Sequence, residues 1–240
     1  MTLVDDWLTK RTTHQTEALE NASRHFDDQD ALDVYVLEGV YGQESDSGRD
    51  NGGKRGGNGP RGPFALEKDT ATRMGLGTSA GDDQRFDIDE ASSAAAEYLE
   101  DIDDRVRSGG RLQGSIGFTP VSDVNERVSF DLAAYNGGEA AIAKAQQATI
   151  SDGGDPTDWA QVRDHLEDGG MTAAKAQEVS DYVEKIRDYA AELKLKSPAD
   201  ASAKKKDPLR RKKPTSNGAW RTLPDGTRIQ VNGNKPNVVP

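Results

Sequence analysis

Val34-Tyr35-Val36-Leu37-Glu38-Gly39-Val40-Tyr41-Gly42-Gln43-Glu44-Ser45 carries an apolar run up to a carboxylate, and a glycine-rich polar segment comes directly after it. Leu32, Tyr35, Val36, Gly39 and Val40 recur at the spacing of a buried helix face. The spacing predicts a helix from about Asp30 to Gly42, with Glu44 at or just past its C-terminal end. The negative end of a helix dipole disfavours an ionised carboxylate there. A core-bordering carboxyl in such a place keeps its proton near neutral pH, as a general acid must. The ordinary alternative is an exposed helix-end glutamate, so the weight of Glu44 rests on the segments C-terminal to it.

Residues 46–61 hold eight charged or amide side chains among glycines and a proline, and this composition predicts a mobile loop. Gly62-Pro63-Phe64-Ala65-Leu66 returns the chain to a buried position, and Lys68 to Met74 reads as one or two helical turns closed by Gly75. Asp87 and Glu90 form a capping pair for a helix whose apolar face is Ile88, Ala91, Ala95, Tyr98, Leu99, Ile102 and Val106. A helix from Asp123 to Tyr135 stops at Gly137-Gly138, and an Ala-rich helix runs from Glu139 to Ala148. A long helix from about Thr172 to Leu193 places Val179, Tyr182, Val183, Ile186, Tyr189 and Leu193 on one stripe. No segment alternates strongly enough to demand a central sheet, so the fold class is mainly α.

Composition bounds the chemistry. Hydrophobic residues make up 33% and charged residues 30% of the 240, which predicts a modest helical core with flexible flanks. The chain has no cysteine, and its three histidines, His14, His25 and His165, lack metal-ligand spacing. No thiolate chemistry, metal or cofactor is therefore expected. No basic region followed by an apolar run opens the sequence, and no stretch reaches the length of a membrane span. Action outside a cytoplasm would then use a route other than a cleaved signal peptide, as part of a virion or by another delivery to the periplasm or cell wall; otherwise the protein is expected in the cytoplasm.

Charge is segregated. Residues 191–240 carry twelve basic and four acidic side chains, a net of +8, so the whole-chain −11 leaves −19 for the first 190 residues. Residues 1–27 read as a flexible N-terminal arm, 28–195 as the helical domain, and 196–240 as a basic linker and tail. Within the tail, residues 220–231 flank Pro224-Asp225-Gly226 with β-prone runs, a candidate hairpin. The basic runs suit a polyanion or a virion protein as partner.

Several segments, in order, resemble the lytic transglycosylase domain of the soluble, goose-lysozyme-like type. Glu44-Ser45 at a helix end resembles the family's catalytic Glu-Ser. Gly62-Pro63-Phe64-Ala65-Leu66 with Thr70-Ala71, Tyr98-Leu99, Ala133-Ala134-Tyr135-Asn136-Gly137-Gly138 and Tyr182-Val183 resemble its later motifs. The likeness covers about residues 28–190 and implies a lysozyme-like helical domain. One position departs from it: a substrate-binding Gln of the family aligns with Ala65.

The resemblance implies cleavage of the β-1,4 bond between N-acetylmuramic acid and N-acetylglucosamine in peptidoglycan strands, with a 1,6-anhydro product. Glu44 would act as acid and then base, and Ser45, Phe64, Tyr98, Tyr135 and Asn136 would bind or orient substrate. Two other readings stand beside it. A hydrolytic lysozyme or chitin-cleaving relative would use Asp46, Asp87 or Asp89 to position water. A structural virion or assembly protein would have weakened catalysis, as Ala65 suggests.

Overall fold

A computed structural model describes residues 2–27, 30–114 and 116–196, and in the C-terminal part the backbone of 219–222, 228–232 and 235–236. The chain divides into two compact units, residues 1–198 and 199–240. In the first, the described helices are α1 (Leu3–Lys10), α2 (Thr13–Ala22), α3 (Val34–Ser45), α4 (Lys68–Arg73), α5 (Ile88–Ser108), α6 (Val124–Gly137), α7 (Glu139–Ser151), α8 (Trp159–Val162) and α9 (Ala173–Lys196). Two short antiparallel hairpins, β1–β2 (Thr78–Ser79 with Asp82–Asp83) and β3–β4 (Arg111–Gln113 with Ile116–Gly117), complete it. The domain is mainly α and lysozyme-like.

The central helix starts four residues later than the periodicity predicts and runs three residues further. Asp33 sets the start, because its carboxylate accepts from the backbone N–H groups of Tyr35 and Val36, each at 3.0 Å. Asp46, in the left-handed region at φ 50°, ends it. Glu44 therefore sits inside the last turn. α3 packs along α9, and Gly39 makes the approach possible: a Cβ there would lie 2.8 Å from Ile186 Cγ2.

Residues 2–27 are two helices seated on the domain. Val4, Trp7, Ala18, Leu19 and Ala22 are buried. The Trp7 indole N–H donates to Glu38 Oε2 at 2.6 Å, and Gln15 Nε2 donates to the Tyr41 hydroxyl at 2.7 Å. A polar sequence hides this seat because only one narrow stripe of each helix is apolar.

The glycine-rich segment after α3 is also held, by a guanidinium. Arg85 is fully buried and donates to the carbonyls of Gly57 at 2.9 Å, Gly59 at 2.9 Å and Leu66 at 3.3 Å. Its other N–H groups meet the Asp83 carboxylate at 2.9 Å, and Asp83 also accepts from Gly56 N at 2.6 Å. Gly62, at φ +77°, passes so close to the Arg85 carbonyl that a Cβ would overlap it. The expectation of mobility fails because one planar donor satisfies backbone carbonyls that no helix or sheet claims.

In the second unit, β5 (Ala219–Thr222), β6 (Arg228–Asn232) and β7 (Lys235–Pro236) form an antiparallel sheet in that order. Trp220 pairs with Gln230 and Thr222 with Arg228. The expected turn at 224–226 and most of the basic linker lie outside the described residues.

Candidate active site

Glu44 stands half-buried in the last turn of α3, and the Tyr182 hydroxyl of α9 donates to its Oε1 at 2.7 Å. Burial raises the carboxyl above its usual pKa; the Tyr182 hydrogen bond and the Lys175 ammonium pull the other way, while Glu178 adds to the rise. A cavity of about 170 Å³ opens beside it, walled by Gln43, Asn136, Glu178, Asp181, Tyr182 and Lys185.

Lys175 organises one wall. Its ammonium donates to Asn136 Oδ1 at 3.1 Å and to Glu178 Oε1 at 2.8 Å. The Lys175 hydrogen bond holds the Glu178 carboxyl below its usual value. One cavity thus has two glutamates driven in opposite directions, Glu44 toward the acid and Glu178 toward the carboxylate.

Tyr135 lies near enough to Glu44 to feel its charge. Its hydroxyl donates to the Phe64 carbonyl at 2.8 Å, and its ring lies 5.4 Å from that of Tyr98. Burial, then the Glu44 charge, lifts the Tyr135 phenol well above its usual pKa, so it acts only as a neutral donor. The Arg73 guanidinium lies over the Tyr98 ring, 5.1 Å from its centre. Phe64 has its side chain fully in the core and offers the site its carbonyl alone. Ala65 follows it in the left-handed region at φ 46°.

Ser45 is 1% exposed: its hydroxyl donates to Tyr41 O and accepts from Gly48 N, both at 2.8 Å. It ties the start of the glycine-rich segment to the helix that presents Glu44. Of the residues singled out from sequence, Glu44 and Asn136 share the cavity, and Phe64, Tyr98 and Tyr135 cluster together. Tyr182, Glu178, Lys175 and Lys185 were not singled out as site residues. Tyr182 reads as one more apolar position on the α9 stripe, and its polar hydroxyl and the family likeness of Tyr182-Val183 are the signals that mark it.

The carboxylates offered for a hydrolytic water are elsewhere. Asp46 pairs with Arg49 at 2.6 Å, Asp87 caps α5, and Asp89 meets His14 at 2.7 Å. Among the described residues no three His, Asp or Glu side chains converge as a metal site, and no helix is long and apolar enough to cross a membrane.

A mainly α, lysozyme-like domain with a half-buried glutamate at a helix end, its carboxyl raised by burial, is the class that fold and site define. Residues 24–155 match the transglycosylase SLT domain, and the chain belongs to that family. It is 31% identical over 144 residues to membrane-bound lytic murein transglycosylase F of Salmonella typhi, a match covering 56% of this chain and 26% of that protein. The proteins of the same name from Salmonella typhimurium and Citrobacter koseri are 31% and 30% identical over 144 residues, each match covering 24% of the relative. The chain thus spans about a quarter of the length of these relatives. The family match ends before α9, which supplies Tyr182, Glu178, Lys175 and Lys185.

Proposed function

We propose that the protein is a peptidoglycan lytic transglycosylase in which Glu44 is both acid and base. The observation that carries this reading is the setting of Glu44: it borders the cavity with Oε1 held by the Tyr182 hydroxyl, and burial raises its carboxyl above the usual pKa. Oε2–H protonates the glycosidic oxygen as the bond to the muramic acid C1 breaks. The acetamido carbonyl of the same sugar closes on C1 and carries the positive charge. The Glu44 carboxylate, steadied by the Tyr182 hydroxyl and the nearby Lys175 ammonium, then takes the proton of the 6-hydroxyl. That oxygen attacks C1 and releases the acetamide, so the anhydro ring forms without water and Glu44 regains its proton.

In this scheme Ser45 positions Glu44 through the backbone, and Asn136, held by Lys175, offers an amide to the sugar. Tyr98 and Tyr135 supply a ring surface beside it, and Phe64 fixes Tyr135 through its carbonyl. Glu178 supports a second reading, hydrolysis, because it is an ionised carboxylate in the same cavity. The mass of the products decides: a 1,6-anhydro end is lighter by one water than a hydrolysed end. Release of hydrolysed ends alone overturns the transglycosylase reading. The basic tail suits attachment to a polyanion, and such attachment weakens steeply with salt because charges are screened within about 10 Å at 0.1 M.

A further inference from the structure

A second cavity, of about 450 Å³, lies among α1, α3 and α9. Gln43 and Lys185 line it and the Glu44 cavity alike, so the two spaces meet at a shared rim. Its floor includes Gly42, Ile186 and Tyr189. Gly42 keeps the floor low, since a Cβ there would already reach van der Waals contact with the Tyr189 ring at 3.7 Å.

The charges at its edge sort into two groups. Lys10 pairs with Asp6, Arg49 with Asp46 and Glu192 with Lys196, each at 2.6 Å. Among the described residues, Lys185 and Asp188 line the cavity with no ion pair or hydrogen bond, both exposed and of opposite sign on one face of α9. The groove therefore offers an apolar floor, one free cation beside the Glu44 cavity and one free anion further along.

A strand stripped of its peptides keeps only the lactyl carboxylate at that point and offers no amine for Asp188, and it binds through exposed aromatic faces, whereas Trp7 in this groove is only 4% exposed. The lactyl group of muramic acid carries a short peptide with free carboxylates and, on its diamino acid, an amine. We propose that the groove receives the stem peptide of the muramic acid bound at Glu44, with Lys185 taking a peptide carboxylate and Asp188 the amine. This rests on the peptidoglycan reading above and adds to it a choice between peptide-bearing and denuded strands.

The full chain is assayed on glycan strands bearing their peptides and on the same strands stripped by an amidase. The wild type is expected to prefer the peptide-bearing strands. Asp188→Lys and Lys185→Glu should each narrow that preference about fivefold, the worth of one exposed ion pair. Separately, the Glu44→Gln protein is titrated with the free stem tetrapeptide and followed by chemical-shift changes at α9. Shifts that vanish when either charge reversal is added support the groove. Equal cleavage of both strands, with a ratio unmoved by either variant, overturns the groove and leaves the cleavage reading standing. Cleavage of neither strand overturns the cleavage reading, and an absence of tetrapeptide shifts overturns the groove by itself.

Discussion

The Tyr182 hydroxyl donates to Glu44 Oε1 at 2.7 Å, joining the end of α3 to α9 across 138 residues of sequence. This bond favours the charged glutamate, while burial favours the neutral one. The proton affinity of Glu44 is the balance of the two, and it is open to experiment.

Tyr182→Phe removes the charge-favouring bond and leaves burial, so the Glu44 pKa rises further. Cleavage needs the protonated acid, and the alkaline limb of the kcat profile should therefore move to higher pH. Below that limb kcat should fall about tenfold, the worth of one hydrogen bond to a charged group in the reacting complex. A limb that moves to lower pH instead would show that Tyr182 does not stabilise the carboxylate.

Glu44→Gln should abolish turnover by about 10²–10⁴-fold with little change in Tm. Glu38→Gln is the informative control six residues earlier. Glu38 is buried and accepts from Trp7 at 2.6 Å and Arg11 at 3.3 Å. Its loss should lower stability by about 1–3 kcal/mol while leaving kcat in place. Calorimetry and a turnover assay on the same preparations separate the two roles.

Arg85→Met should be severely destabilising. It strips the Asp83 carboxylate of its buried partner and leaves the carbonyls of Gly57 and Gly59 without donors. Breaking such a pair costs about 3–5 kcal/mol. Proteolysis should then cut first within residues 46–66, and protection of that segment in the variant would count against the role assigned to Arg85.

Asp131→Asn should raise Tm at neutral pH and flatten its dependence on pH. Asp131 is buried beside Asp103, and burial holds its carboxyl well above the usual value; Asp30 nearby is raised to about 6. Carboxyls raised in the folded state keep protons that the unfolded chain gives up. The stability they contribute is complete below about 3.8, the ordinary value, and is lost as pH rises through about 6 for Asp30 and through the raised value of Asp131. Asparagine has no proton to lose, so thermal melts across this window should show a smaller fall for the variant than for the wild type.

Local chemistry in the sequence was enough for most helices and for Glu44. Helix periodicity, the caps at Asp87 and Asp123 and the stop at Gly138 act within a few residues, so they can be read without knowing the fold. The order of the Glu44, Phe64, Tyr98 and Tyr135 segments was legible for the same reason. Long-range burial was not. Arg85 reads as a surface charge until the fold closes carbonyls around it, and the glycine-rich segment reads as mobile until that guanidinium is in place. Trp7 and Leu19 look like an unattached arm until α3 and α5 offer them a surface. The proton affinity of Glu44 depends on both kinds of information. The sequence by itself determined which carboxyl stands at the helix end, but only tertiary packing decided its burial and brought Tyr182, Lys175 and Glu178 to it, because desolvation and charge act through space and not along the chain.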